Sequence, residues 1–486
     1  MVKKIQISKN TENAILFAAM TIFLLFILLS NNLTANDYFW HVKIGEYIAK
    51  NKTVPVSGIF SWSAQEAGLY WTSHEWLSEV IFYLVYLLGG NRAIYIMCML
   101  MGMGLVILIA YQNKVYLKKN MLFTGFYSLL AAIIIFMAVT PRPQLFSGFL
   151  FFFLLQILYQ YLQKDTKLLY LIPVIFVLWA NLHGGMATLG YITLGVFIIS
   201  TRIQIPFGRI ETTVLPMKRW VKLISVSGAS VLYMLINPNT YHIFSFVFNL
   251  MGDQVPMQLV SEWFAPDVKQ FSHLICFIMV VITIISMITT KKNIRLHDLL
   301  LFLALFYLFM RSYRFSFYFV IASAFFVFHY IPKLMMESRI YNSVKNSKKI
   351  LGILLPLLVI CLFGINIRSY QGMKDSVLSQ EAIQVLKDTG CKRMYNHYDL
   401  GGELIYNDFD VFIDGRGDMY QGEILNDFKD LTIDMTDADH IADIIEKYDF
   451  DCFVCMKAEQ LNTYLNLTGN YDLIYQDSAI NIYTPK

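Results

Sequence analysis

The stretch N-D-Y-F-W-H-V-K-I-G-E-Y (Asn36–Tyr47), continuing to W-T-S-H-E-W-L-S-E (Trp71–Glu79), decides how the rest of the chain is read. It follows directly on an apolar run, Ala14–Leu29, so acids and histidines stand where a short connector is expected. A helix from Asn36 places Asp37 and His41 one turn apart on one face, with Trp40, Ile44, Tyr47 and Ile48 along an apolar stripe. That pattern predicts an amphipathic helix lying on a membrane surface. A second follows at Thr72, where T-S-H-E fits a capping box and Leu77, Val80, Ile81, Leu84, Leu87 and Leu88 keep helical spacing. The expectation is a pair of interfacial helices presenting Asp37, His41, His74 and Glu75 at the membrane boundary.

Composition sets that stretch in a membrane. Of 486 residues, 56% are hydrophobic and 15% charged, with mean hydropathy +0.51, which excludes an ordinary soluble domain. Apolar runs that read as spans occur near 14–30, 91–111, 121–140, 144–162, 168–181, 186–201, 219–236, 272–290, 298–310, 313–331 and 350–367, the fifth and ninth of them short. The chain therefore reads as an α-helical polytopic protein of the cell membrane with about 11 spans. The first is an uncleaved span and 31–90 is the first outer loop. With the N-terminus cytoplasmic, the inner segments hold 21 Lys and Arg and the outer connections 8, as the positive-inside rule requires.

From about Ser369 the pattern turns soluble, giving a transmembrane domain, 1–368, and a small α/β domain, 369–486, that an odd span count puts outside the cell. Its expected elements are helices at 379–388, 402–406 and 437–448 and strands at 393–395, 411–413, 452–455, 472–475 and 480–483. Six scattered cysteines suggest no disulfide framework, and Cys452 and Cys455 point to opposite faces of a strand. No P-loop or G-x-G-x-x-G is present, and no nucleic-acid partner is expected.

Under this topology the polar groups that are expensive near a bilayer all fall in one outer layer. They are Asp37, His41, His74 and Glu75; Arg142 in T-P-R-P-Q; Asn181 and His183 in W-A-N-L-H-G-G; Asn237 in I-N-P-N-T-Y; Glu262 in S-E-W-F-A-P-D; and Arg311 and Arg314 in R-S-Y-R-F. Each also has a plainer reading. Asp37 suits a helix N-cap, or a general base or metal ligand. His74 and Glu75 suit a solvated helix start or, with Trp76, sugar recognition by carboxylate and aromatic face. Trp62, Trp71 and Trp76 equally suit an interface belt. Arg142, fixed between Pro141 and Pro143, and Arg311 and Arg314 suit headgroup anchoring or forked contacts to phosphate. His183 reads either as a core histidine or as a span end where backbone approaches a ligand. Asp414, Arg416 and Asp418 in V-F-I-D-G-R-G-D-M-Y read as turn residues.

An acid just past the first span, two interfacial helices in a long first outer loop, arginines at later outer span ends and an outer C-terminal domain together resemble the GT-C glycosyltransferases. More narrowly, D-Y-F-W-H, H-E-W-L, R-P-Q-L-F, N-L-H-G-G, N-P, E-W-x-x-P and I-D-G-R resemble a group of bacterial membrane proteins described as GT-C-like, over nearly the whole chain. The resemblance implies a polyprenyl-phosphate-linked sugar donor, Asp37 as base or metal ligand, and Arg142 with Arg311 or Arg314 as lipid-phosphate contacts. It also implies Mg or Mn as a possible divalent cofactor. Many members carry two adjacent acids at this position, whereas here Asn36 precedes Asp37.

The expected function is an inverting hexosyl or pentosyl transfer to an envelope glycan, lipid or protein acceptor. Asp37, Glu75 and His74 are the catalytic candidates. His41, Trp76, Arg142, Asn181, His183, Asn237, Glu262, Arg311 and Arg314 are the substrate-binding candidates. A transporter or flippase for a lipid-linked or anionic envelope precursor, and a non-catalytic envelope-assembly protein, are the rival readings.

Overall fold

The computed structural model describes residues 37–113, 121–204, 208–246, 263–331, 377–420, 422–435 and 437–486. The expected first and last spans and Glu262 lie outside these residues.

Helices α1 (Asp37–Asn51), α2 (Trp62–Glu66) and α3 (Trp76–Gln112) make up the described start of the chain. A bundle follows: α4 (Met121–Met137), α5 (Gln144–Gln163), α6 (Ile172–Leu182), α7 (Ala187–Ser200), α8 (Met217–Tyr233), α9 (Phe271–Thr289), α10 (Leu296–Arg311) and α11 (Ser316–Tyr330). Each expected span that falls on described residues contains one of these helices or the second half of α3. Among the described residues three helices, α3, α5 and α9, are long and apolar enough to cross a membrane by themselves, so the count of eleven spans is not established. At the bundle end away from α1, strands β1 (Ile210–Glu211) and β2 (Ile294–Arg295) pair in parallel.

The second expected interfacial helix is the first half of α3. The helix starts at Trp76, with Glu75 as its N-cap residue making no side-chain cap bond, so the T-S-H-E capping box does not form. Non-helical backbone at Gly89 and Gly90 kinks it, with Gly90 at φ 61°, a conformation that glycine adopts without a Cβ penalty. Leu87 and Leu88, just before the kink, are exposed.

The expectation for α1 is corrected. It does not lie on a lipid surface, because both of its faces are covered by protein. Tyr38 and Val42 enter the core of the bundle, while Trp40, Ile44 and Ile48 enter a second core built with the C-terminal domain. Trp62 and Trp71 belong to that second core too, so they are not belt aromatics: Arg393 lies over Trp62 at 4.5 Å and Arg416 over Trp71 at 5.0 Å. The first loop and the C-terminal domain thus bury one shared apolar core, which makes α1 the hinge block between the two halves of the molecule.

The C-terminal domain contains α12 (Gln380–Thr389), β3 (Met394–Asn396), α13 (Gly401–Tyr406), α14 (Glu423–Thr432), α15 (Ala438–Tyr448), β4 (Cys452–Met456), α16 (Leu461–Thr468), β5 (Tyr471–Gln476) and β6 (Ile480–Pro485). The strand order is β3-β4-β6-β5, with β3 parallel to β4 and the other pairs antiparallel. The expected strand at 411–413 does not join this sheet. Val411 pairs instead with the first loop, its N–H donating to Phe60 O and its carbonyl accepting from Trp62 N–H, while Asn396 binds Phe412 N–H and Ile413 O. Helices α14 and α16 were not expected, and neither was the disulfide between Cys391 and Cys452, which ties the start of β4 to the connection before β3.

Candidate active site

Six segments converge where the bundle meets the C-terminal domain. Asp37 opens α1, and its Oδ2 lies 2.6 Å from Arg142 Nη2, at the start of α5. Pro143 occupies the N-cap position of α5 and Pro141 precedes Arg142, so the arginine leaves a backbone whose φ is restrained on both sides. Trp40 Nε1 donates to Asp37 Oδ1 at 3.3 Å. The floor under Asp37 comes from the C-terminal domain: a Cβ at Gly415 would stand 2.1 Å from Asp37 Oδ1, so only glycine permits this approach.

Beside this pair lies a cluster centred on Glu75. Its carboxyl is 3.3 Å from His183 Nε2, 3.7 Å from His74 Nδ1 and 3.9 Å from His41 Nε2. His183 sits between α6 and α7. Arg314 Nη2, between α10 and α11, lies 3.1 Å from the same Nε2. Because a guanidinium only donates, His183 Nε2 holds the lone pair and Nδ1 carries the ring proton, donating to Ser147 Oγ at 2.8 Å. Trp179 Nε1 donates to that oxygen at 2.8 Å. A Glu75 oxygen facing the same lone pair at 3.3 Å fits only if the carboxyl keeps its proton.

Electrostatics agree with that assignment. Burial pushes Glu75 up to about 8, the Arg314 charge opposes, and Asp418 and Asp37 add to the rise. Burial pushes His74 down to about 3, with Arg314 adding to the effect. His41 and His183 are also held well below the ordinary histidine range by burial, then by Arg142 for the first and Arg314 for the second. Glu79, buried with its Oε1 3.7 Å from His41 Nδ1, is likewise raised well above the ordinary carboxylate range by burial and then by Glu75, so at neutral pH the cluster is two neutral carboxyls among three neutral imidazoles, beside the guanidinium groups of Arg142 and Arg314.

The structure therefore brings together Asp37, His41, His74, Glu75, Arg142, His183 and Arg314. Trp76 and Asn181 meet each other at the edge: Trp76 Nε1 donates to Asn181 Oδ1 at 2.8 Å, and Asn181 Nδ2 donates to the Val177 and Ile236 carbonyls. Asn237 is turned onto its own loop, donating to Met234 O and Thr240 O and accepting from Asn239 N–H. Arg311 is exposed at the end of α10. Arg314 stacks over Trp263 at 5.4 Å, and its buried Nε has no hydrogen-bond acceptor among the described residues.

Sequence reasoning missed the contribution of the 414–418 turn. Arg416 and Asp414 are fully buried and joined by two hydrogen bonds of 2.6 and 2.8 Å, and Arg416 Nη1 donates to Ile59 O at 2.9 Å. This lock holds Gly415 under Asp37 and keeps Asp418 near enough to Glu75 for its charge to raise that carboxyl. Burial lifts the Asp418 carboxyl to about 7.

Solved structures share this architecture. The oligosaccharyltransferase of Archaeoglobus fulgidus tethered with an acceptor peptide aligns over 99% of this chain and 74% of its own, with TM-score 0.58 and 10% identity. AglB from Archaeoglobus fulgidus, in complex with an inhibitory peptide and a dolichol-phosphate, aligns over 92% and 69%, with TM-score 0.57 and 10% identity. ArnT from Cupriavidus metallidurans, bound to undecaprenyl phosphate, aligns over 97% of both chains, with TM-score 0.51 and 12% identity. The fold is that of the GT-C glycosyltransferases. No protein-family model matches the sequence, and no curated protein does.

Within this GT-C fold the residues present do not fit a divalent ion at Asp37. Its carboxylate is engaged by Arg142. Among the described residues no three His, Cys, Asp or Glu ligand atoms of the cluster lie close enough to share one ion. The one grouping that does is Cys391, Asp451 and Cys452, whose two sulfurs are joined in the disulfide.

Proposed function

We propose that this protein is an inverting glycosyltransferase that moves a sugar from a polyprenyl-phosphate donor to an acceptor hydroxyl at the outer face of the membrane. The observation that carries this reading is the Asp37–Arg142 pair beside a second guanidinium, Arg314, at the junction of a GT-C bundle and its C-terminal domain.

Arg142 and Arg314 hold the donor phosphate with charge-assisted bonds, for which the open Nε donor of Arg314 is suited. A phosphate at Arg142 competes with Asp37 for the guanidinium, so arrival of the donor loosens the ion pair and exposes the carboxylate that serves as base. Asp37 takes the acceptor proton, the acceptor oxygen bonds to the anomeric carbon, and the carbon–oxygen bond to phosphate breaks on the opposite side. The phosphate leaves with the bonding electrons and is stabilised by the two arginines. Glu75, neutral and lodged among His41, His74 and His183, acts as a hydrogen-bond donor that orients the bound groups. The placement of this chemistry outside the cell is supported by the bias of Lys and Arg toward the other loops and by the Cys391–Cys452 disulfide, which belongs to an oxidising compartment.

The test is transfer of radiolabel from purified polyprenyl-phosphate sugars to envelope extract by wild type and Asp37→Asn. The variant is expected to fold normally and lose ~10²- to 10⁴-fold in turnover. A variant as active as wild type, or folded wild type that transfers from no donor in a broad panel, overturns the reading.

A further inference from the structure

We infer that the C-terminal domain carries a binding site for an uncharged sugar, distinct from the Asp37 centre, at the ends of β3 and β4. A cavity of about 440 Å³ opens there, inside the ~300–1,000 Å³ range of small-ligand pockets. Its place follows from topology. β3 and β4 are parallel, and the cavity is walled by the residues that leave their carboxyl ends: His397, Tyr398 and Asp399 after β3, Glu459 and Gln460 after β4. In α/β sheets that edge is where backbone turns away and leaves a crevice for ligands.

The lining chooses the ligand class. Among the described residues no Lys or Arg lines the cavity, which disfavours phosphates, nucleotides and the lipid pyrophosphate class. Tyr398, partly buried, supplies an aromatic face of the kind that packs on the apolar face of a sugar ring, and Phe428, with its ring centroid 6.3 Å away, backs it from the core. The Asp399 carboxylate, half exposed, and the Gln460 amide offer acceptors and donors for hydroxyl groups around that wall. Glu459 is fixed behind them, accepting from Tyr395 O–H and from Met456 N–H. Burial lifts its carboxyl to about 7.

Tyr398 links this cavity to the site already described. Its hydroxyl donates to Gly415 O at 3.1 Å, directly behind the glycine that forms the floor under Asp37. A glycan seated on Tyr398 therefore lies one side chain away from the reacting centre. Its use as the acceptor's subsite rests on the proposed transfer, whereas the sugar binding itself does not.

The experiment is saturation-transfer NMR on the detergent-solubilised full chain with methyl glycosides of glucose, galactose and N-acetylglucosamine, and with inorganic phosphate as the contrasting probe. Wild type and Asp37→Asn are expected to bind at least one glycoside equally, and Asp399→Ala and Gln460→Ala each to weaken it by about tenfold or more. The two surface variants guard against misreading one that fails to fold, which circular dichroism reports. Binding that ignores both substitutions, phosphate competing with the glycoside, or no glycoside bound by folded wild type overturns the inference. Glycoside binding with these properties in a protein that transfers no label upholds the cavity while removing the transferase reading. Label transfer unaffected by Asp399→Ala and Gln460→Ala upholds the transferase reading and removes the cavity's use as the acceptor's subsite.

Discussion

A carboxyl enclosed by three imidazoles and facing a guanidinium-bound lone pair has one stable protonation state, and for Glu75 it is the neutral one. The consequence for stability has a definite sign. The folded protein keeps the Glu75 proton up to about 8, whereas an unfolded chain releases it near ~4.3. Between those values the folded state binds more protons, so stability is full below the lower value and falls as pH rises through the upper one. Asp418 and Glu459, lifted to about 7, and Glu79, raised well above the ordinary carboxylate range by burial and then by Glu75, act in the same direction. The depressed histidines act in the opposite direction, and only below the ordinary histidine range. Glu75 therefore contributes part of the fall in stability between about 7 and about 8. Thermal melts across that window are expected to fall for wild type and to fall less steeply for Glu75→Gln, which is neutral at every pH. Equal slopes in the two proteins contradict the assignment. Asp37, Glu75 and Arg142 were legible in the sequence because a charge beside an apolar run is costly and demands a reason. Ser147 and Trp179 were not, since a serine and an indole inside an apolar helix look like packing until His183 is seen against them.

The elements were more legible than their surroundings. Helical spacing found α1 and the start of α3, but a one-dimensional pattern cannot distinguish a face that meets lipid from one that meets another domain. The apolar stripe Trp40, Ile44 and Ile48 was real, and its partner was the C-terminal core. The 411–413 segment failed for a related reason: its alternation suits a strand, yet its hydrogen bonds go to residues 60–62, some 350 positions earlier. That long-range pairing makes the 414–418 turn a structural part of the site, and it gives a sharp prediction. In Gly415→Ala the new Cβ must displace the Asp37 carboxylate from 2.1 Å, breaking the geometry that Arg142 and Trp40 hold. A displacement of that size costs ~10²-fold in turnover when the group is catalytic. Label-transfer rates should show the loss, while the melting temperature changes far less than the rate. Full activity in Gly415→Ala detaches the C-terminal domain from the chemistry.

At the scale of the molecule, two independent observations support the proposed direction of the chain across the membrane. Lys and Arg number 21 in the segments assigned inside and 8 in the outer connections. The candidate site cluster and the disulfide-bearing domain lie together at the end with fewer of them, while Lys291, Lys292 and Arg295 stand beside β2 at the other. A disulfide persists where the compartment is oxidising, and cationic loops are retained on the cytoplasmic side, so both support the proposal that the C-terminal domain lies outside. The expected boundary near 369 falls outside the described residues, yet the direction does not depend on it. Alkaline phosphatase fused after Lys486 is therefore expected to be active in intact cells, and a green fluorescent protein at the same place to stay dark. Fusions to the connection between α9 and α10, which carries Lys291 and Lys292, should give the opposite pair of results. A fluorescent C-terminal fusion would reverse the orientation, and with it the claim that Asp37 meets its acceptor outside the cell.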